Sequence, residues 1–342
     1  KINYTLLNQQ NSSITNYAKM LESVSRTFTL SIKQLPGIVK DSIMLAYLLL
    51  RVSDILEDNK VMGPDRKVRL LNLWYEILAG KKSVKDLTDQ LNDLDGNDPE
   101  VQVAQNAEVL VNPLQTFPTE IQESITKHVS DTTEGMARWQ VQGPYIQTEA
   151  EMDDYMHEVA GRVGYLITDV FAYHSPKIKA KKEELMPLSR EYGLALQTVN
   201  ILRGMKKDYE RGWVFTPQEF LDEAGVSRDQ LFLPENQHKA LQVVNRLTEK
   251  AERHLRHGLE YIAAFPTHQH RIRLACMWPL FFAVKTLALS QNNINVIMSE
   301  VKMTRDDVKD IMSTTFIKGW SNKWLKKYYD QILAEGGIVP VN

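Results

Sequence analysis

Apolar residues recur along most of the chain at the three- and four-residue spacing of an amphipathic α-helix. One apolar stripe occupies residues 70–78 and a second occupies residues 241–259. Because this spacing places the apolar side chains on one face, both segments are predicted to be helices that pack against a core. The alternation of apolar and polar residues that is typical of β-strands is scarce. The pattern therefore predicts an all-α protein.

Glycine and proline mark the ends of the predicted helices, since both residues interrupt a helical backbone. These interruptions delimit about eight to eleven helices. No internal repeat, low-complexity tract or long linker separates the halves of the chain, so residues 1–342 are predicted to form a single all-α domain. The main interruptions fall at residues 35–37, 63–64, 95–99, 143–144, 175–176, 212–217, 234 and 266.

The charge of the chain is nearly balanced, with 41 Lys and Arg against 43 Asp and Glu. This balance argues against a nucleic-acid-binding protein, which normally has a basic stripe, and a hydrophobic content of 43% excludes a disordered chain. The lone Cys276 cannot form an intramolecular disulfide, which favours a reducing, cytoplasmic compartment. His254 and His257 have no acidic partner at a spacing typical of zinc sites, so they are interpreted as solvated.

Membrane contact is considered for three segments. The strongest apolar run, residues 277–289, has 13 residues and contains Lys285, so it is predicted not to span a bilayer. Residues 1–20 have no basic start followed by an apolar stretch, so no secretory signal is predicted. The basic and aromatic segment 323–329 is interpreted either as a contact with a membrane surface or as a helix docked on the core through its aromatic side chains.

The segment Ala46–Asp58 changes from apolar to charged within one predicted helix, reading AYLLLRVSDILED. Asp54 and Asp58 are four residues apart, so a helix places both carboxylates on one face, with Arg51 on the same side. Two carboxylates at this spacing suit Mg²⁺, whose coordination is completed by water and by phosphate oxygens of a substrate. An acidic surface turn paired with Arg51 is the alternative interpretation.

A second polar face is predicted on the helix that covers residues 196–211. This face presents one amide, one carboxylate and three cations. Arg binds phosphate as a two-pronged donor and Lys binds it as a compact charge, so the face is suited to phosphate. Solvated cations paired with neighbouring acidic side chains are the alternative. The residues on this face are Asn200, Arg203, Gly204, Lys207, Asp208 and Arg211.

The third informative segment, Tyr155–Gly164, combines small and charged residues in the sequence YMHEVAGRVG. Its small residues permit the close approach of another helix or of a ligand, and helix packing alone accounts for them. Glu158 and Arg162 lie one helical turn apart, which favours an ion pair. The small residues are Ala160, Gly161 and Gly164.

Short motifs in this order run along the chain: Ser25-Arg26-Thr27-Phe28, Tyr47, Arg51, Asp54 to Asp58, Val159-Ala160-Gly161, Val163-Gly164, Gln197, Asn200 to Arg203, Pro217-Gln218-Glu219, and Cys276 to Leu289. In these motifs the chain resembles the squalene and phytoene synthases, and squalene synthases in particular, over about residues 15–292. Residues 293–342 lie outside the resemblance. It implies the α-helical isoprenoid-synthase fold with a central apolar cavity. It also implies Mg²⁺, head-to-head joining of two C15 prenyl diphosphates through a cyclopropyl diphosphate, and NADPH where squalene is the product.

The resemblance and the phosphate chemistry together predict the site residues. The predicted Mg²⁺ ligands are Asp54, Asp58 and Asp208. The predicted diphosphate-binding residues are Ser25, Arg26, Arg51, Arg203, Lys207 and Arg211. The predicted catalytic residues are Asp54, Asp58, Tyr47, Glu158 and Tyr155, with Gln197 and Asn200 as further polar residues of the cavity. Four aromatic residues are candidates either to stabilise a carbocation or to fill the core: Phe28, Tyr47, Phe171 and Phe282.

The sequence departs from the family in two places. The family's second acidic motif places carboxylates directly after Asn-x-x-Arg, but Gly204 and Lys207 stand at two of those positions here, and only Asp208 remains. A protonated lysine cannot ligate Mg²⁺, so the family's full metal cluster is not expected on this helix. The family usually has a Tyr just before Val159-Ala160-Gly161, where this chain has Glu158.

These departures motivate a hypothesis about the cations of the second motif. Lys207, with Lys206, supplies directly the positive charge that a second-motif metal would supply, so that one diphosphate is held by metal at Asp54 and Asp58 and by these cations. Such a site suits a single diphosphate substrate. The candidate reactions are the opening of presqualene diphosphate by water or hydride, prenyl transfer to another acceptor, and cyclisation.

Glu158 is the candidate base that activates water or an acceptor, and its pairing with Arg162 is the equally weighted alternative. Tyr155, one turn earlier, is the candidate substitute for the missing Tyr. Three functions stay open at this point: a head-to-head synthase, a single-diphosphate variant, and a catalytically silent prenyl-lipid binder or assembly factor. A prenyl diphosphate is the expected partner, and nucleic acid is not.

Overall fold

The computed structural model describes residues 17–338, apart from the side chain of Arg26. Within this range the chain forms α-helices joined by turns and short 3₁₀ or π segments, and its one β-bridge pairs Tyr145 with Val214. The prediction of an all-α protein is confirmed. Most of the segment considered for a secretory signal lies outside the described residues. The α-helices are α1 (17–24), α2 (Arg26–Gln34), α3 (Gly37–Asp58), α4 (Pro64–Leu78), α5 (Val84–Thr88), α6 (Pro99–Gln105), α7 (Glu108–Leu114), α8 (Thr119–Gln142), α9 (Glu149–Met156), α10 (Arg162–His174), α11 (Pro176–Lys179), α12 (Lys182–Glu210), α13 (Gln218–Ala224), α14 (Gln237–Ala264), α15 (His270–Ser290), α16 (Asn295–Met298), α17 (Arg305–Lys318) and α18 (Asn322–Glu335).

The long helices lie where the apolar stripes predicted them. α4 contains the stripe at residues 70–78, and α14 contains the stripe at residues 241–259. Short helices such as α5, α11 and α16 bring the number within residues 17–338 above the predicted eight to eleven. A helix of one or two turns contains too few apolar repeats to be recognised from the pattern.

The chain folds into two compact units. The first unit extends through Gln142 and includes Tyr165–Ala180, and the second comprises Gly143–Gly164 and the chain from Lys181 onward. The single domain over residues 1–342 stays a prediction.

In the first unit, α3 packs against α4 and α8 through a buried polar cluster. Ser53 Oγ lies 2.7 Å from Thr133 Oγ1 and accepts a hydrogen bond of 3.2 Å from Trp74 Nε1. Leaving any of these buried groups without a partner would cost about 1–3 kcal/mol, so the cluster favours one rotation of α3 about its axis. Because successive helical residues point in different directions, this rotation turns the neighbouring Asp54 away from the cluster.

In the second unit, α12 packs along α14, and α15 joins them. Gly258 of α14 lies against the ring of Tyr192 of α12, where an added Cβ would come within 2.7 Å of a ring carbon. Tyr192 OH donates a hydrogen bond of 2.6 Å to the carbonyl of Cys276 in α15. The three helices therefore share one core.

The apolar run at residues 277–289 is the C-terminal part of a longer helix. α15 has 21 residues, and by length and composition it satisfies the requirements of a membrane-spanning helix. In the folded chain, 89% of its apolar window is buried. α15 is therefore the central helix of the second unit.

A buried ionic cluster ties α9, α12 and α14 together. The side chain of Lys250 is 1% exposed, and its Nζ lies 3.0 Å from Glu149 Oε1 and 2.5 Å from Asp153 Oδ1. His254 is hydrogen-bonded to Glu191. Burial alone would lower the pKa of His254, but the carboxylates of Asp153 and Glu191 raise it. The interpretation of His254 as solvated is therefore wrong, because its acidic partners come from other helices.

The turn between α17 and α18 is held by Arg273 of α15, which is fully buried. Arg273 Nη2 donates to the carbonyl of Gly319 at 3.1 Å and to Asn322 Oδ1 at 2.7 Å. The rings of Phe281 and Tyr328 lie 5.0 Å apart between centroids, so α18 is docked on α15. The docked-helix interpretation of this segment is confirmed.

Candidate active site

Arg51 organises the acidic face of α3 in the first unit. Its Nη1 lies 3.2 Å from Asp54 Oδ2, and its Nη2 lies 3.4 Å from both the carbonyl oxygen of Val24 and Glu100 Oε1. Asp54 is half-buried, and Asp58 one turn later is exposed. The face predicted from the spacing therefore exists, and it includes the ion pair of the alternative interpretation. Glu100 adds an acid that the local spacing did not reveal, because it comes from α6.

Tyr47 lies one turn before Arg51 on α3. The Arg51 guanidinium carbon lies 6.0 Å from the centre of the Tyr47 ring. The ring of Phe28, on α2, lies 5.6 Å from the Tyr47 ring between centroids. Ser25 caps α2 by accepting a hydrogen bond of 3.3 Å from the backbone N of Phe28, and its side chain is also hydrogen-bonded to Tyr47. The structure thus brings Ser25 and Tyr47 beside Arg51. The side chain of Arg26 lies outside the described residues.

The electrostatics of this face favour a cation. Burial raises the pKa of Asp54 to about 6, the Arg51 guanidinium opposes this rise, and the carboxylate of Asp58 adds to it. A divalent ion would lower this pKa again by stabilising the ionised form. Two hard oxygen ligands on one helical face fit Mg²⁺, which takes its remaining ligands from water and phosphate. Within residues 17–338 no group of three or more His, Cys, Asp or Glu side chains is placed to hold a metal ion.

The second predicted polar face forms on α12 in the second unit. Gln197 is half-buried and Asn200 is exposed. The side chain of Arg203 is 39% exposed and that of Lys207 is 71% exposed. Arg203 and Lys207 contact the same carboxylate, so the structure brings these two predicted diphosphate-binding cations together.

That carboxylate belongs to Glu300, which the sequence did not indicate. Glu300 Oε1 lies 2.9 Å from Arg203 Nη2, and its Oε2 lies 3.0 Å from Lys207 Nζ and 3.1 Å from Lys302 Nζ. Burial would raise the pKa of Glu300, but the three cations lower it to about 2. An anion is therefore already seated on the face that was predicted to bind phosphate. Glu300 lies 97 residues from Arg203 in the sequence and outside any motif, so no local signal pointed to it.

Asp208 and Arg211 pair with each other at the end of α12. Arg211 Nε donates to Asp208 Oδ1 at 3.0 Å, and the two side chains are 19% and 17% exposed respectively. This pairing is the one that the alternative interpretation of the cationic face described. The metal role of Asp208 and the diphosphate role of Arg211 stay predictions.

Glu158 and Tyr155 lie in and beside a π-helical segment, His157–Gly161. Arg162 Nε donates to Glu158 Oε2 at 2.7 Å, as the one-turn spacing predicted. Tyr155 is 3% exposed, and its ring stacks on Phe215 at 4.7 Å between centroids. Glu158 is thus held in a fixed position by Arg162, and Tyr155 is packed among aromatic side chains.

The small residues of this segment allow it to lie directly on α12. A Cβ added to Gly164 would come within 2.2 Å of the Ser189 carbonyl oxygen, and one added to Gly193 would come within 2.4 Å of the Ala160 carbonyl oxygen. Helix packing therefore accounts for these glycines. The sequence left open whether they approach a helix or a ligand.

The four candidate aromatic residues differ in burial. Phe171 is 1% exposed and Phe282 is 5% exposed, so both fill the cores of their units. Phe28 is 37% exposed and Tyr47 is half-buried beside Arg51. Phe28 and Tyr47 contact each other beside the predicted site residues Ser25 and Arg51.

Comparison with known proteins identifies the family of this chain. A family model described as squalene/phytoene synthase matches residues 21–305. The squalene synthase of Schizosaccharomyces pombe is 27% identical over 302 residues, which cover 86% of this chain and 63% of the relative. Squalene synthase ERG9 of Saccharomyces cerevisiae is 30% identical over 298 residues, covering 84% of this chain and 64% of the relative. The chain thus spans less than two thirds of the length of these two relatives.

A solved structure of TcSQS with a bound ligand superposes with a TM-score of 0.83, at 24% sequence identity, covering 94% of this chain and 92% of that chain. This likeness confirms the predicted isoprenoid-synthase fold. The residues matched by the family model, 21–305, include both the acidic face of α3 and the cationic face of α12. The chain therefore belongs to the squalene/phytoene synthase family.

Proposed function

We propose that this chain is a Mg²⁺-dependent prenyl-diphosphate transferase that ionises an allylic or cyclopropyl diphosphate and forms a carbon–carbon bond, using C15 substrates. The observation that carries the proposal is the family match over residues 21–305, within which α3 presents Asp54 and Asp58 on one face. A half-buried carboxylate with a raised pKa is typical of functional sites, and this supports the proposed role of Asp54.

Asp54 and Asp58 are the proposed Mg²⁺ ligands. When bound, Mg²⁺ supplies the positive charge that neutralises the departing diphosphate. Arg51 holds Asp54 through Oδ2 and adds a fixed guanidinium beside it. Because Glu100 and the Val24 carbonyl hold the other end of this guanidinium, the arginine is positioned before any substrate arrives.

Arg203 and Lys207 are the proposed diphosphate-binding residues of α12. Arginine donates two parallel hydrogen bonds to phosphate oxygens, and lysine adds a mobile point charge. Gln197 and Asn200, two turns and one turn before Arg203 respectively, are proposed polar residues of the same face. Gly204 and Lys207 stand where the family has carboxylates, and this departure favours the second candidate function, a reaction that releases one diphosphate.

Glu158 is the proposed proton acceptor for water or an acceptor hydroxyl, and Arg162 positions its carboxylate. Tyr155 is the proposed partner in proton handling. NADPH is the proposed hydride donor if squalene is the product.

Product analysis tests this function. The protein is incubated with Mg²⁺ and farnesyl diphosphate, shorter and longer prenyl diphosphates, or presqualene diphosphate, with and without NADPH, and the products are identified by mass spectrometry. We expect a C30 product and Mg²⁺-dependent release of diphosphate. Conversion of presqualene diphosphate alone would support the single-diphosphate reaction. If no substrate released diphosphate, both the transferase and the single-diphosphate reaction would be contradicted. That result would indicate a catalytically silent prenyl-lipid binder or assembly factor.

We also propose that the protein is cytoplasmic and makes a peripheral contact with a membrane through the turn between α17 and α18. Phe316, Ile317 and Trp320 are 59%, 69% and 50% exposed. Residues 311–329 contain four lysines and no acidic residue. Exposed aromatic and aliphatic side chains among lysines are typical of surfaces that bind anionic lipid. The four lysines, all exposed, are Lys318, Lys323, Lys326 and Lys327.

The membrane contact predicts a difference between two double variants. We expect Phe316→Ser/Ile317→Ser to reduce co-sedimentation with vesicles containing phosphatidylglycerol by about tenfold, because it removes two apolar side chains from the acyl boundary. Val61→Ser/Val141→Ser removes two exposed valines of the first unit and serves as the control. Equal loss in both variants, or equal binding of the native protein to neutral phosphatidylcholine vesicles, would contradict the proposal.

A further inference from the structure

The segment between α16 and α17 places one carboxylate on three cations. Glu300, the second residue of the segment 299–304, contacts Arg203 through Oε1 and both Lys207 and Lys302 through Oε2. Lys206 Nζ donates to the carbonyl of Met298 at 3.2 Å, at the end of α16. Arg203, Lys206 and Lys207 of α12 are thus held by groups of residues 298–300.

The charges in this cluster do not balance. One carboxylate faces one guanidinium and two ammonium groups, which leaves a net positive charge of about two when each group has its ordinary charge. A diphosphate carries more charge than a carboxylate and offers more acceptor oxygens, so it matches the three cations better. Glu300 therefore fills the place of a stronger anion without neutralising the site.

The position of Glu300 argues against a role as a metal ligand. Both of its oxygens lie within 3.1 Å of cationic nitrogens. Metal ligation would require these cations to move away from the carboxylate. Glu300 is thus poorly placed to substitute for the carboxylates that Gly204 and Lys207 have displaced from the second acidic motif.

The backbone around Glu300 permits displacement. Residues 300–304 lie outside any helix, and the flanking helices are closed by their own hydrogen bonds: Ser299 N donates to the Asn295 carbonyl at 2.8 Å, and Thr304 caps α17. The Glu300 side chain is 22% exposed. It can therefore leave the cations by a movement of this short segment, without unpacking a helix.

We infer that Glu300 is an internal counter-anion that occupies the diphosphate-binding cations of α12 and must be displaced when diphosphate binds. This inference rests on the proposed function, because it assumes that Arg203 and Lys207 receive diphosphate. Glu300 therefore competes with any anion that binds Arg203 and Lys207. A diphosphate binds strongly enough to displace it, and a weaker anion such as a monophosphate does not.

Isothermal titration calorimetry with inorganic pyrophosphate and Mg²⁺ tests the inference. We expect Glu300→Gln, which keeps the size of the side chain and removes its charge, to bind pyrophosphate about tenfold more tightly than the native protein. The control is Glu335→Gln, which removes a glutamate of the same unit whose Oε2 lies 2.6 Å from Lys285. We expect no change in that variant. We also expect the gain to be largely lost when Glu300→Gln is combined with Lys207→Gln, because one of the released cations is then absent.

The outcomes separate this inference from the proposed function. Equal pyrophosphate affinity in the native protein and Glu300→Gln would overturn the counter-anion role alone. Weaker binding in Glu300→Gln would also overturn it and would indicate that Glu300 supports the anion or the metal. A tenfold gain that persists in the double variant would show that the effect does not pass through Lys207, and would overturn the assignment. Absence of pyrophosphate binding in every variant would overturn the proposed function as well.

Discussion

Asp54→Asn is expected to lower the rate of Mg²⁺-dependent diphosphate release from farnesyl diphosphate by about 10²–10³-fold, the usual effect of removing one group that stabilises developing charge. The asparagine keeps the size of the side chain but contributes no negative charge to a metal ion. The initial rate of diphosphate release is measured at saturating Mg²⁺. Because burial disfavours the ionised form of Asp54 and raises its pKa to about 6, loss of the charge is expected to leave the unfolding temperature at pH 7 unchanged or higher.

Asp41→Asn is the matched control, since Asp41 lies on the same helix and is paired with Lys40 at 3.8 Å. We expect this variant to retain native activity. We also expect Mg²⁺ with pyrophosphate to raise the unfolding temperature of the native protein and of Asp41→Asn, but not of Asp54→Asn. A fully active Asp54→Asn variant would show that the acidic face of α3 does not hold the metal.

Lys207→Glu is expected to reduce kcat/KM for the preferred prenyl diphosphate by about 100-fold, because it replaces a diphosphate-binding cation with an anion beside Glu300. Turnover is measured on labelled farnesyl diphosphate and on presqualene diphosphate. Lys239→Glu is the control, because it makes the same change of charge in the same unit, at a lysine whose ammonium group donates to the Gly225 carbonyl. Unchanged kinetics of Lys207→Glu on both substrates would contradict the role of this lysine.

The double variant Gly204→Asp/Lys207→Glu restores the carboxylates that the family has after Asn-x-x-Arg. An added Cβ at Gly204 would lie 3.2 Å from Asp208 Oδ2, a close contact with a side chain that is able to move. We expect the double variant to be less active than the native protein, because Lys207 is proposed to function as a cation. A gain in head-to-head product would instead show that the native motif is a degraded metal site.

Contacts within one helix were predictable from the sequence. The one-turn spacing of Asp54 and Asp58 and the pairing of Glu158 with Arg162 follow from helical periodicity, so they required no knowledge of the tertiary fold. The apolar stripe of α14 was predictable for the same reason. Short helices such as α16 were not, because they contain too few repeats to produce a pattern.

Contacts between distant segments were not predictable. Glu300 meets Lys207 across 93 residues, and His254 meets Glu191 across 63 residues. The sequence identified Lys207 and His254 as polar residues of interest, but it did not indicate that Glu300 and Glu191 would contact them. The chain passes through several turns between these partners, and small changes in any turn would alter which side chains meet.

The sequence by itself determined the helical class, the family and the acidic face of α3, because each depends on residue spacing along a single helix or on motifs read in order. Only the tertiary structure decided that Arg203 and Lys207 share a carboxylate, that Arg51 is held by Glu100, and that α15 is a buried central helix. The physical reason is that pairing and burial depend on which segments pack together, and a one-dimensional pattern does not specify the partner of an exposed charge.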